Sequence, residues 1–214
     1  MERWGVSDYS DYLMKAIEQG TSSNGVFGAK IMRGYFHDFI GKLKQIPGCQ
    51  PFDLPALLPK FFPNLYYIHI TRQDKVRQAI SFWKAIQTNI WAWSSDATPS
   101  PEKEPFFDFE AIHHLQQEII AHEAAWDKYF ELCKVEPLVI IYEELVSAYE
   151  ETARRVLRFL DIPVPSTLVF GERKLKRQSD ELTEKWVEAY HQHLCTITLP
   201  GGSQTPSGTP PRES

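Results

Sequence analysis

Leu65 to Thr88 reads LYYIHITRQDKVRQAISFWKAIQT, and the fold follows from how this stretch changes character at Arg72. Leu65–Ile70 (LYYIHI) is aromatic and β-branched, a strand apolar enough to be buried on both faces. From Asp74 to about Ile90 the apolar residues instead recur at helical spacing, with Val76, Ala79, Ile80, Trp83 and Ile86 in one stripe. A strand that runs straight into a long helix is half of a βαβ unit. A second strand of the same composition, Leu138–Tyr142 (LVIIY), comes later in the chain.

The segments around these two complete the alternation. Ser7–Glu18 is a helix with Ser7 as its cap, followed by the turn cluster GTSSNG at Gly20–Gly25. Val26–Met32 (VFGAKIM) is a short strand with a lysine in it. Tyr35–Gln45 is an amphipathic helix, and Asp53–Leu58 is a short one capped by Asp53 and ended by Pro59. Ser94–Pro105 is a polar, proline-rich loop. Asp108–Cys133 holds a long helix with Ile112, Leu115, Ile119, Trp126 and Tyr129 near the 3.6 period. Helices over Tyr149–Leu160 and Asp180–Leu194 follow. Strands alternating with helices predict an α/β fold with a parallel sheet, here with only three strands. One domain is expected over 1–195 and a disordered tail over 196–214, because PGGSQTPSGTPPRES (Pro200–Ser214) cannot build a core.

Bulk properties exclude some functions. The 214 residues carry a net charge of -5, which argues against a nucleic-acid partner but not against a local pocket for a small anion. No apolar run approaches the roughly 20 residues that a membrane-spanning helix needs. The start MERWGVSDYSDYL is acidic and mixed, unlike a signal peptide. Cys49, Cys133 and Cys195 are odd in number and far apart, without metal spacing or a disulfide framework. A reducing, cytoplasmic setting is therefore expected.

The chemistry concentrates at strand ends. In parallel sheets, ligands bind beyond the carboxyl ends of the strands. Arg72 lies at such an end and just ahead of a helix N-terminus, where free N–H groups and the helix dipole favour an anion. Its guanidinium fork suits phosphate. Ser81 lies four residues after Arg77 on one helix face, with Lys84 and Thr88 nearby. Two readings stand: a phosphate clamp, or a solvated basic face with Arg72 pairing Asp74. Lys30 divides similarly between a cleft-facing cation and an edge-strand lysine in solvent. His113, His114 and His122 share a helix without zinc spacing and are expected to be solvated or to cap the core. Glu143 and Glu144 divide between a paired-carboxylate site and the start of the turn and helix after LVIIY, and the helix start is favoured because acidic residues suit an N-terminal end. Trp91 and Trp93 divide between stacking a sugar and flanking the loop.

Four blocks carry a family resemblance: FGAKIM (Phe27–Met32), TRQDKVRQAISFWKAIQT (Thr71–Thr88) with Trp91, IIYEEL (Ile140–Leu145) with VLRFL (Val156–Leu160), and RQSDELTEKW (Arg177–Trp186). Together they resemble the bacterial trehalose 2-sulfotransferase family, over about Arg3 to Tyr190. The resemblance implies a three-layer, parallel-sheet, P-loop-like sulfotransferase fold. It implies transfer of a sulfuryl group from 3′-phosphoadenosine 5′-phosphosulfate (PAPS) to a carbohydrate hydroxyl, with no metal. Arg72 and Ser81 match the pair that holds the 3′-phosphate. Lys30 matches a strand lysine near the sulfuryl group, and Tyr142 a residue near the adenine. The basic run Glu172–Gln178 (ERKLKRQ), through Arg173 and Arg177, resembles a segment that closes over the nucleotide.

One departure is expected to matter. The family opens with a strand, a Ser/Thr-Gly-rich loop that wraps the 5′-phosphosulfate, and a glutamate proposed as base. These fall before the position that matches Met1. The chain is thus expected to be N-terminally incomplete, lacking the first strand and the phosphosulfate loop, and weak or inactive alone. The alternative is a non-catalytic remnant that binds a 3′-phosphorylated nucleotide or a partner chain. Loss of a central strand would leave unpaired edges, which together with the resemblance favours a homodimer. A P-loop kinase is disfavoured, because no GxxxxGK[ST] occurs.

Overall fold

A computed structural model describes residues 4–91, 103–171 and 181–198. Its elements are α1 (Tyr9–Gly20), α2 (Arg33–Gln45), α3 (Leu54–Phe61), β1 (Ile68–Thr71), α4 (Lys75–Thr88), α5 (Phe109–Cys133), β2 (Leu138–Ile141), α6 (Tyr142–Ser147), α7 (Tyr149–Phe159) and α8 (Glu181–Thr198). The strands β1 and β2 pair in parallel, with Ile68 opposite Leu138 and Thr71 opposite Ile141. Parallel neighbours need a crossover, and α4 and α5 lie in the chain between them. The fold is α/β, rich in helix, with a small parallel sheet.

The helix starts follow local capping chemistry. Asp8, not Ser7, caps α1, and its carboxylate accepts from the N–H of Asp11 at 2.9 Å. Asp53 caps α3 through the N–H of Ala56 at 3.0 Å. Pro59 does not end α3. The helix runs on to Phe61 and closes where the Phe62 N–H donates to Leu58 O at 2.9 Å.

Three further expectations are corrected. Among the described residues the sheet has two strands, and Val26–Met32 is not one of them. That segment makes an isolated antiparallel bridge, Thr21 to Phe27, across a tight turn with Gly25 at φ 82°. The chain then runs directly into α2, and Gly28 further weakens any strand. Lys30 is consequently an exposed residue of an irregular segment, not a strand lysine. Finally, β1 is not buried on both faces: Ile68 is 37% and Ile70 59% exposed, so the face that these two residues share is left largely uncovered among the described residues.

The chain divides into two units, residues 1–75 with 117–172 and residues 76–116 with 173–214. The core of the first contains Leu13, Phe36, Leu43, Cys49, Leu57, Tyr129 and Phe130. Tyr67 and Tyr129 exchange a hydrogen bond at 2.9 Å inside it. The second unit buries Ala79 and Ile80 of α4, Phe109 and Ile112 of α5, and Trp186 and Tyr190 of α8. Within the α4 stripe, Trp83 is half-buried and donates its indole N–H to Phe106 O at 3.0 Å, while Ile86 stays exposed. The last helix, α8, runs past Leu194 to Thr198.

Candidate functional site

The parallel register brings two strand ends together. Thr71 pairs with Ile141, so the next residues, Arg72 and Tyr142, leave the sheet side by side. The Arg72 guanidinium carbon lies 4.7 Å from the centroid of the Tyr142 ring, within cation–π range. Its Nε is 3.5 Å from Glu143 Oε1, close enough for an ion pair. That Nε is buried and makes no hydrogen bond. The arginine side chain is only 18% exposed, so it is sandwiched between a ring and a carboxylate.

Glu143 also engages the backbone ahead of α4. Its carboxylate accepts the N–H of Gln73 at 3.1 Å and of Asp74 at 3.4 Å. In a capping box, a residue inside the helix would make such a bond. Here a different strand-to-helix junction supplies the acceptor. Burial works to raise the Glu143 pKa. The N–H groups of Gln73, Glu143 itself and Asp74, together with the Arg72 charge, outweigh it and hold the carboxyl below its ordinary value.

A second polar group lies beside this one. The Lys75 ammonium donates to Thr71 Oγ1 at 3.1 Å, to Arg72 O and to Glu123 Oε1 at 2.5 Å. Thr71 donates its hydroxyl to the same Glu123 oxygen. The carbonyl of Arg72 is thus fixed by Lys75, while its side chain is fixed by Tyr142 and Glu143.

The other expected residues divide. Ser81 is half-buried on α4 and belongs to the second unit, whereas Arg72 belongs to the first. The face around Ser81 is not simply a solvated basic one: Arg77 pairs with Glu184, and Lys84 donates to Thr183 Oγ1 at 3.2 Å. Both acceptors belong to α8. Lys30 is exposed on its irregular segment. Arg173 and Arg177 lie outside the described residues, as do Trp93, most of the Ser94–Pro105 loop and the chain beyond residue 198. Trp91 is 60% exposed, its ring tilted at 59° to that of Phe82 with 5.8 Å between the centroids. His113 caps the core of its unit, with Nδ1 2.7 Å from the Tyr190 hydroxyl, which in turn donates to Gln116 Oε1 at 2.6 Å.

Sequence reasoning assigned Glu143 to a helix start, which is correct, since it lies in the first turn of α6. Its reach to the amides of Gln73 and Asp74 was missed. The signal lay in the spacing: Arg72 and Glu143 each follow a strand end closely, and only the register joins them. Glu123 carried no signal at all, being 48 residues from Lys75. Among the described residues no three His, Cys, Asp or Glu side chains are placed to hold a metal ion. Among them, too, no helix is long and apolar enough to cross a membrane.

A family model described as Stf0 sulphotransferase matches residues 5–193. The chain is similar to a trehalose 2-sulfotransferase of Mycolicibacterium smegmatis (strain ATCC 700084 / mc(2)155), 29% identical over 193 residues, which is 90% of this chain and 69% of the relative. A trehalose 2-sulfotransferase of Mycobacterium tuberculosis (strain ATCC 35801 / TMC 107 / Erdman) is 26% identical over 182 residues, 85% of this chain and 66% of that protein. The chain therefore spans about two thirds of the length of either relative.

Proposed function

Because the chain belongs to the Stf0 sulphotransferase family, we propose that it carries the 3′-phosphate side of a PAPS site used to sulfate a carbohydrate hydroxyl, with a trehalose-like acceptor. The observation that carries this reading is Arg72, held at the exit of β1 directly ahead of α4 by the Tyr142 ring and the Glu143 carboxylate. A guanidinium fixed on one edge presents its remaining N–H groups to a phosphate at little further ordering cost.

In the reaction, an acceptor hydroxyl oxygen forms a bond to sulfur as the bond from sulfur to the 5′-phosphate oxygen breaks. The products are a sugar sulfate ester and adenosine 3′,5′-bisphosphate, and the hydroxyl proton leaves to a base. By analogy with phosphoryl transfer, the protein's part is positioning and cationic stabilisation. We assign Arg72 and Ser81 to the 3′-phosphate, Tyr142 to the adenine side, Arg173 and Arg177 to the nucleotide, and Lys30 to the sulfuryl group.

Calorimetric titration with adenosine 3′,5′-bisphosphate tests the binding half. Saturable binding that Arg72→Ala abolishes is expected, and an unchanged affinity in that variant overturns the clamp.

A further inference from the structure

We infer that Glu143 is a positioning residue for the Arg72 clamp: one carboxylate ties together the arginine side chain and the backbone amides just ahead of α4, fixing both for the 3′-phosphate of the nucleotide. The inference rests on the function proposed above and adds to it a residue whose sign of effect is unusual.

Three contacts support it. Glu143 Oε1 is 3.5 Å from Arg72 Nε, and the same carboxylate accepts from Gln73 N–H at 3.1 Å and Asp74 N–H at 3.4 Å. They span the junction between β1 and α4 from the side of α6, so Glu143 couples both strand exits. The Nε edge of Arg72 is thereby turned toward the protein. Tyr142 covers one face of the guanidinium at 4.7 Å. Among the described residues the Nη groups make no hydrogen bond or ion pair, which leaves the Nη side for a ligand. A carboxylate spent only on capping α4 would need neither Arg72 nor a place at the end of β2. The adjacent Glu144 has the same charge but is exposed and gives only its backbone carbonyl, to Ala148 N–H at 2.8 Å and Ser147 Oγ at 3.0 Å.

Simple electrostatics and positioning make opposite forecasts. A carboxylate beside a phosphate site repels the ligand, so removing its charge should tighten binding. If Glu143 instead holds the arginine fork, removing its charge should weaken binding, because the guanidinium loses its fixed edge.

The test is calorimetry with adenosine 3′,5′-bisphosphate on the full chain and on Glu143→Gln, Glu143→Asp and Glu144→Gln, with thermal unfolding of each in the absence of ligand. Glu143→Gln should weaken binding about tenfold, the scale of losing one charge-assisted contact. Glu143→Asp should recover part of that loss, and Glu144→Gln should bind as the unaltered chain does. Tighter or unchanged binding by Glu143→Gln overturns the inference while leaving the proposed site intact. So does a loss that Glu143→Asp shares in full along with an equal fall in melting temperature, which marks a purely structural role. Failure of the unaltered chain to bind overturns the proposed function, and this inference with it.

Discussion

The guanidinium carbon of Arg72 lies over the ring of Tyr142, 4.7 Å from the ring centroid. Two residues 70 positions apart meet because each is the first residue beyond its strand in a parallel pair. The contact holds the arginine in a half-buried position without neutralising it. A cation–π contact of this kind contributes roughly 0.5–2 kcal/mol. Tyr142→Ala should therefore weaken binding of adenosine 3′,5′-bisphosphate by about 2- to 30-fold. Tyr142→Phe keeps the ring and should bind like the unaltered chain. Calorimetry on the two variants checks both outcomes.

The Glu143 carboxyl sets a pH signature. Its pKa in the folded chain lies below the ordinary value. The stability it adds is therefore fully present above the unfolded value of about 4.3 and is lost as pH falls through the folded one. The unaltered chain should melt above Glu143→Gln at neutral pH. That gap should close once the pH drops below the ordinary carboxylate range. The side chain is 36% exposed, so the gap will be modest. Melting temperatures of the two proteins between neutral and acid pH measure it, and a gap that widens in acid would be wrong in sign.

The end of α5 offers a stabilising change. Lys134 follows Cys133 with φ at 52°, and the Val135 N–H closes back on Phe130 O at 2.9 Å. This is the left-handed helix stop in which glycine is favoured. An L side chain in that region costs roughly 1 kcal/mol. Lys134 is exposed. Lys134→Gly should raise the melting temperature by about 2–4 °C for a chain of this size. A fall would mean that the side chain makes a stabilising contact of its own.

How much the sequence disclosed depends on where each feature draws its stability. The α4 and α5 helices were legible because a repeat of apolar residues is local, and α6 because two acidic residues mark its first turn. The strands β1 and β2 were legible from their β-branched runs. Val26–Met32 has a similar run but no partner strand among the described residues, and a strand exists only through pairing that composition does not encode. Arg72 was legible as a strand-end cation. Its neighbours were not: the meeting of Arg72 with Tyr142 and Glu143 is a consequence of register, and that of Lys75 with Glu123 follows from tertiary packing alone. Arg173 and Arg177 lie outside the described residues, so the structure adds nothing to their assignment.

The central claim is that the junction of β1 and α4 recognises a 3′-phosphate. The most direct measurement is the ratio of calorimetric affinities for adenosine 3′,5′-bisphosphate and adenosine 5′-monophosphate, taken on the full chain and on Arg72→Ala. A preference of at least about tenfold for the bisphosphate, the scale of one charge-assisted phosphate contact, is expected in the full chain and should vanish in the variant. Equal affinities for the two nucleotides in the full chain, or a preference that survives Arg72→Ala, would contradict it.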